Sequence, residues 1–236
     1  MPIEASLQNE WKRLAGESAA RIVEGGMVVG LGTGSTAAFF LTALAQRLSN
    51  ERLRIAGIPT SEHTAALARQ LEIPLTTFAE HLRIDLTVDG ADEVELGTLS
   101  LIKGRGGALL REKIVAAASD RMVVVADETK VSEKLGTLSS VPVEIVQFGW
   151  QVTLKKLGEL GGNPELRLGP NGKPLITDGG NYIADCAFGP MNNPKETAHH
   201  LDHVIGAVQH GLFLGLAREV IVGGSYGAKI LKRSDK

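Results

Sequence analysis

Residues 103–113, K-G-R-G-G-A-L-L-R-E-K, set a glycine-rich turn in front of an apolar helical stretch that carries three consecutive charges, Arg111, Glu112 and Lys113. At about 100° per residue these side chains project in different directions, so they do not pair along one solvated stripe. The flanking Leu109, Leu110, Ile114, Val115 and the alanines at 116–118 leave no broad polar face, which predicts a helix buried on most sides. A carboxylate on such a helix, just past a loop rich in free N–H groups, is a candidate general base beside an anion site. It fits one half of a structural ion pair as well.

Three other clusters carry comparable chemistry. In G-L-G-T-G-S-T, residues 30–36, the positions Gly32, Gly34 and Ala37 match the dinucleotide fingerprint G-x-G-x-x-A. That fingerprint needs an acid at the end of the second strand, and the strand at 53–58 ends instead in Pro59, Thr60 and Ser61. Hydroxyls at Thr33, Ser35 and Thr36 beside free helix N–H groups suit a single phosphate better, because neutral donors and a helix dipole bind an anion without a counter-cation. The P-loop pattern is absent. In D-G-A-D-E, residues 89–93, Asp89 and Asp92 flank Gly90 and Ala91, as a ligand site or a capped turn would have it. Asp127 and Lys130 follow the apolar run 122–126. In open parallel sheets ligands bind outside the carboxyl ends of the strands, so these clusters and the loop at Lys103 would converge on one crevice.

The elements that must hold them alternate. Apolar spacing predicts a helix over 7–23, a strand at 27–31, a helix at 37–48, a strand at 53–58 and a helix at 62–71. Short strands at 75–78, 82–88, 99–102 and 122–126 surround the helix after Gly107. Beyond Val131 the pattern becomes a strand at 143–148, a helix at 151–160, three short strands around turns at 170–172 and 178–180, a helix at 194–209 and a strand at 211–216. This resembles a β-α-β-β-α-β unit, and the run 219–223 can return to the first sheet. The expected fold is α/β: a Rossmann-like, open, mostly parallel sheet with helices on both faces, plus a smaller ferredoxin-like α+β domain. Residues 1–135 with 211–236 would form the catalytic domain and 136–210 the small one, which offers an assembly surface.

Composition narrows the function. The 236 residues hold 25 Lys+Arg against 27 Asp+Glu, a net charge of −2, so no basic field points to nucleic acid. The single cysteine, Cys186, excludes an internal disulfide and reads as core. His199 and His203 share a helix face, but no further ligand set accompanies them and His200, so the segment reads as solvated and no metal is expected. The chain opens without a basic start followed by an apolar run and contains no membrane-length apolar stretch; a cytoplasmic location is expected.

G-T-G-S-T at 32–36, D-G-A-D-E at 89–93, K-G-R-G-G-A-L-L-R-E-K at 103–113 and A-D-E-T-K at 126–130 occur in that order, and the chain resembles the ribose-5-phosphate isomerase type A family over essentially its whole length. The resemblance implies an aldose-ketose isomerase that interconverts D-ribose 5-phosphate and D-ribulose 5-phosphate through a cis-enediolate, in the non-oxidative pentose phosphate pathway. It implies Glu112 as the proton-transferring base. It implies Thr33, Gly34, Ser35, Thr36, Asp89, Gly90, Ala91, Asp92, Lys103, Gly104, Arg105, Gly106 and Lys130 as substrate contacts. It also implies no cofactor and a homodimer or homotetramer. Arg105 departs from the pattern, since the family often has glycine there; Lys12 lies in no motif and is not carried over. Two other classes remain open on the residues alone: a non-catalytic sugar-phosphate sensor, and transfer chemistry through a Glu nucleophile as in coenzyme A transferases.

Overall fold

The structure, a computed structural model, describes residues 4–233. The chain opens with α1 (Ala5–Ala20), β1 (Val28–Leu31), α2 (Ser35–Glu51), β2 (Ala56–Pro59), α3 (Glu62–Gln70) and β3 (Leu86–Gly90). Next come β4 (Glu93–Glu95), β5 (Leu101–Ile102), α4 (Leu109–Ala117), β6 (Met122–Asp127) and β7 (Val131–Ser132). A third stretch holds β8 (Val141–Ile145), α5 (Trp150–Glu159), β9 (Pro164–Leu166), β10 (Tyr182–Cys186), α6 (Pro194–Asp202) and β11 (Ala207–His210). The chain closes with β12 (Leu212–Phe213), β13 (Ala217–Gly224) and β14 (Gly227–Lys232).

The main sheet has the order β14-β13-β6-β3-β1-β2, parallel except for the β13–β14 hairpin. Every residue of β6 is buried, as a central strand covered on both faces requires. Its side chains alternate between two cores: Val123 and Val125 pack with Ala15, Phe40 and Leu44 of α1 and α2, while Val124 packs with Ala116 of α4 and Phe213. From β1 the chain moves outward to β2 and then back to β3 on the other side. That reversal between β1 and β3 is the topological switch point, where a crevice opens at the carboxyl ends of an α/β sheet.

The second sheet, β11-β8-β10-β9, is antiparallel throughout and is built from β8-α5-β9-β10-α6-β11, a β-α-β-β-α-β order whose last strand lies ahead of the expected 211–216 and whose middle holds two strands in place of the expected three. A third sheet, β12-β5-β4-β7, had no counterpart in that reading, because strands of two or three residues carry no periodicity. The chain leaves toward β8 and returns at Gly211, whose N–H donates to Pro142 O at 2.7 Å.

Several expected boundaries move. The helix expected over 194–209 ends at Asp202, because Gly206 takes φ +94° and redirects the chain into β11, the fourth strand of the second sheet. The strand expected at 211–216 shrinks to β12 and pairs with β5 instead. At 75–78 there is a single bridge to Gly57, and the strand expected from 82 begins at Leu86, with Leu82 exposed. β14 was not foreseen. Cys186 is buried, as read, and His199, His200 and His203 are exposed. Helix α4 is less enclosed than its composition suggests: Leu109, Glu112, Val115 and Ala116 are buried, but Ile114 is half exposed.

Candidate active site

Two backbone features place the site at the switch point. The N–H of Gly32 donates to Val88 O, so the turn after β1 lies against the end of β3; a Cβ on Gly32 would come within 2.4 Å of Asp89 Cα. Gly34, at φ +110°, then turns the chain into α2 without a side-chain cap. The first N–H groups of α2 therefore lie open beside Ser35 and Thr36.

Over this point sits a cavity of about 400 Å³. Gly34, Ser35, Thr36 and Lys130 line it, joined by Gln8 and Lys12 from α1. Residues 90–92, the loop 104–106, Lys103 and Glu112 complete the lining. The clusters read from the sequence thus meet in one place. Two residues depart from their expected placement. Thr33 borders the cavity, but its hydroxyl turns inward to those of Thr60, Ser61 and Thr64 at 2.7 to 3.0 Å, and its N–H donates to Asp89. Asp89 is fully buried behind Lys103 and does not line the cavity.

Lys103, Asp89 and Glu112 form a buried charge triad. The Lys103 ammonium lies 3.0 Å from Asp89 Oδ2 and 3.1 Å from Glu112 Oε1, and donates to Gly90 O at 2.6 Å. Burial works against its charge, yet Asp89 and Glu112 outweigh that and hold its pKa above the ordinary lysine value. Burial raises the Asp89 pKa as well, while the Lys103 ammonium and the N–H groups of Thr33 and Gly90, which donate to Asp89 Oδ1, work in favour of its anion. Glu112 has no such backbone support. It is 4 % exposed and its Oε2 has no hydrogen-bond partner. Burial pushes its pKa up to about 8; Lys103 pulls the other way, and Asp89 and Asp92 add to the rise. The triad therefore contains one carboxylate held by two backbone N–H groups and the Lys103 ammonium, and a second, Glu112, whose Oε2 has no hydrogen-bond partner and which lines a ligand-sized cavity.

The other charges of α4 have separate work, as their angular spread requires. Arg111 pairs with Glu62 at 2.8 Å, and Lys113 donates to Gln209 Oε1, His210 O and Leu212 O, fastening the helix to the β11–β12 turn. Glu112 is thus not half of a pair with its neighbours, which leaves it for the cavity. Asp127 caps the short 3₁₀ turn Glu128–Lys130 through the Thr129 N–H and accepts from Gln8, while Lys130 reaches the cavity. Neither Lys12 nor Lys130 has an ion-pair partner among the described residues, so both cations are available to an anion.

Gln8 and Lys12 lie in no sequence motif. They stand at i and i+4 on α1 and so project together, but only the packing of α1 against α2 and β13 aims them at the turn after β1. Glu93, the last letter of D-G-A-D-E, has a structural role. Its buried carboxylate accepts from the N–H groups of Gly136, Thr137, Leu138 and Ser139 and from the Ser132 hydroxyl, which shapes the strap leading to β8. No cluster of metal-ligating side chains occurs among the described residues, and no helix among them is long and apolar enough to cross a membrane.

Comparison with known proteins agrees with this arrangement. The family model for ribose 5-phosphate isomerase A (phosphoriboisomerase A) matches residues 56–227. A ribose-5-phosphate isomerase A from Synechococcus sp. (strain JA-3-3Ab) is 51 % identical over 226 residues, covering 96 % of this chain and 98 % of the relative. The structure of ribose 5-phosphate isomerase A from Methanocaldococcus jannaschii superposes with a TM-score of 0.92 at 41 % identity, over 96 % of this chain and 100 % of that one. A D-ribose-5-phosphate isomerase in complex with phospho-erythronic acid gives 0.92 at 38 % identity, over 95 % and 98 %. With a family match over most of the chain and relatives that cover nearly all of it, the chain belongs to the ribose 5-phosphate isomerase A family.

Proposed function

We propose that this chain interconverts D-ribose 5-phosphate and D-ribulose 5-phosphate, with Glu112 as the base that carries a proton between C2 and C1. The observation that carries the proposal is the orphaned, buried Oε2 of Glu112, beside Lys103 and facing the cavity. A carboxylate poised near neutral pH can both accept a carbon-bound proton and return it.

The open-chain sugar enters with its phosphate toward the N-terminus of α2, where the free N–H groups, the Ser35 hydroxyl and the ammonium groups of Lys12 and Lys130 receive it. C1 and C2 then lie toward Lys103 and Glu112. Glu112 takes the C2 proton, and the electron pair forms the C1–C2 double bond as the carbonyl O1 becomes an enediolate oxygen. The Lys103 ammonium meets that charge, in the manner of an oxyanion donor. Asp92 accepts from the Arg105 N–H through Oδ2 at 2.8 Å, leaving Oδ1 to exchange a proton with the sugar hydroxyls as O2 becomes the ketone. Glu112 delivers its proton to C1 on the same face. Asp89 takes a different part from the one expected: its place behind Lys103 makes it the counter-ion that keeps the ammonium charged and aimed.

The test is isomerisation of ribose 5-phosphate in deuterium oxide, followed by NMR. Product carrying deuterium at C1 by exchange with the base is expected, and isomerisation that moves the proton without any solvent exchange in either direction would argue against an exchangeable carboxylate. The same proposal includes a cytoplasmic homodimer or homotetramer and a two-domain division with residues 136–210 as the smaller part; light scattering on the purified protein measures the first.

A further inference from the structure

The loop that walls the cavity is held from outside the main sheet. Arg167 follows β9 in the second sheet, opposite Ile183, and stands diagonally across from Asp185 on the same face. The Asp185 carboxylate engages it in a fork, with the guanidinium Nε at 2.8 Å from Oδ2 and Nη2 on Oδ1. The remaining nitrogen, Nη1, donates to Gly104 O and to Arg105 O, both at 2.9 Å. Arg167 spends its planar donor set on one carboxylate and two consecutive loop carbonyls.

Two consecutive carbonyls held this way fix the directions of two N–H groups. In a trans peptide the N–H points opposite to the C=O of the same unit, and none of the described peptide bonds is cis. The carbonyl of Gly104 shares its peptide with the N–H of Arg105, which points away from Arg167 and donates to Asp92 Oδ2. The carbonyl of Arg105 shares its peptide with the N–H of Gly106. That N–H donates to no group among the described residues, and Gly106 lines the cavity. Gly104 itself takes φ +105°, a conformation with little intrinsic preference to hold the turn in one orientation.

We infer that Arg167, oriented by Asp185, is a positioning residue for the isomerisation: by holding the carbonyls of Gly104 and Arg105 it presents the Gly106 N–H to the substrate oxygens and locks Asp92 in place. The inference rests on the function proposed above. It assigns a part in turnover to a side chain that does not line that cavity. A donor aimed by a rigid peptide stabilises developing charge without reorganising, and a small misplacement of such a group is expensive in rate.

The experiment compares Arg167→Gln, Arg167→Lys and Asp185→Asn with the unchanged protein. It measures kcat and KM for ribose 5-phosphate and the inhibition constant of 4-phosphoerythronate, whose planar carboxylate imitates the paired oxygens of the enediolate. Arg167→Gln should lower kcat roughly 10- to 100-fold and weaken 4-phosphoerythronate by a similar factor, with KM moving less than about threefold. Arg167→Lys keeps a charge but not the fork, and should recover only part of the loss. Values of kcat per folded molecule within about twofold of the unchanged protein in Arg167→Gln would overturn the inference. If that variant yields no folded protein, Arg167→Lys and Asp185→Asn decide by the same criterion. Failure of the underlying function is a separate outcome: the unchanged protein itself would then not isomerise the sugar, whereas a normal Arg167→Gln enzyme beside an inactive Glu112→Gln enzyme sinks the positioning role alone.

Discussion

Replacing Glu112 by glutamine separates a base from a structural ion-pair partner, because the two roles predict opposite changes in stability. Burial raises this carboxyl from an ordinary pKa of 4.5 to about 8. A group whose folded pKa lies above its unfolded one favours the folded state when protonated, so its contribution is fully present below pH 4.5 and is lost as pH rises toward about 8. Ionising it in place costs on the order of 5 kcal/mol at pH above 8. Glutamine imitates the protonated form and never bears that cost. Glu112→Gln should therefore match the unchanged protein in Tm near pH 4.5 and exceed it increasingly up to pH 8.5. Lys103 keeps Asp89 and Gly90 O as partners in the variant, so its ammonium is not stranded. Turnover should fall by at least roughly 10²- to 10⁴-fold, the range for a positioned general base. Thermal melts across pH, paired with steady-state assays and C2 proton exchange, read both effects. A variant that melts lower at pH 8.5 and turns over normally per folded molecule would refute the reasoning.

Other consequences follow from the same geometry. Since the base must be ionised to accept a proton, kcat/KM should rise with pH and level off near pH 8; a flat profile from pH 6 to 9 would mean another group takes the proton. Lys12→Ala and Lys130→Ala should each raise KM for ribose 5-phosphate roughly 10-fold or more, as loss of a charged hydrogen bond does, with kcat little changed; an unmoved KM removes that lysine from the anion end. Ser35→Ala combined with Thr36→Ala should act in the same direction, and free ribose should be a poor substrate by steady-state assay. Glu93→Gln should lower stability by roughly 2 to 4 kcal/mol in denaturant unfolding, because part of a carboxylate that satisfies four backbone N–H groups becomes a donor facing donors. A neutral result there would show that the strap supplies its own partners.

Much of the site was legible because three of the four motifs follow strands of the main sheet, β1, β3 and β6, whose ends converge at the switch point, while the fourth follows β5 of the third sheet. Glu112 stood out as a charge with no helical partner, and it has none. What could not be read is what each side chain does after convergence. Asp89 and Asp92 look equivalent in D-G-A-D-E, yet β3 extends through Gly90, which buries Asp89 under Lys103 and leaves Asp92 at the wall. The Thr33 hydroxyl was misjudged for a related reason, since three hydroxyls at and after the end of β2 claim it. Arg167 was invisible because its value lies in carbonyls more than 60 positions away. The third sheet is assembled from strands too short for any pattern, and Gly206 ended a helix that composition alone would continue.

The meeting of Pro142 O and the Gly211 N–H turns everything between them into a cassette. Exit and re-entry lie one hydrogen bond apart, and a chain advancing about 3.8 Å per residue closes such a gap with one or two residues. Insertions, deletions and drift inside the cassette can therefore accumulate without altering how the parallel strands connect. The Lys103 N–H donates to Gly211 O at that junction, so the hinge of the cassette and the base of the substrate loop are one piece of backbone. Exchanging the cassette for a relative's would leave the turn after β1 in place while resetting both the orientation of residues 104–106 and the seat of α4 on Gln209 and His210. Turnover could in this way be tuned by a part of the chain that never meets the sugar.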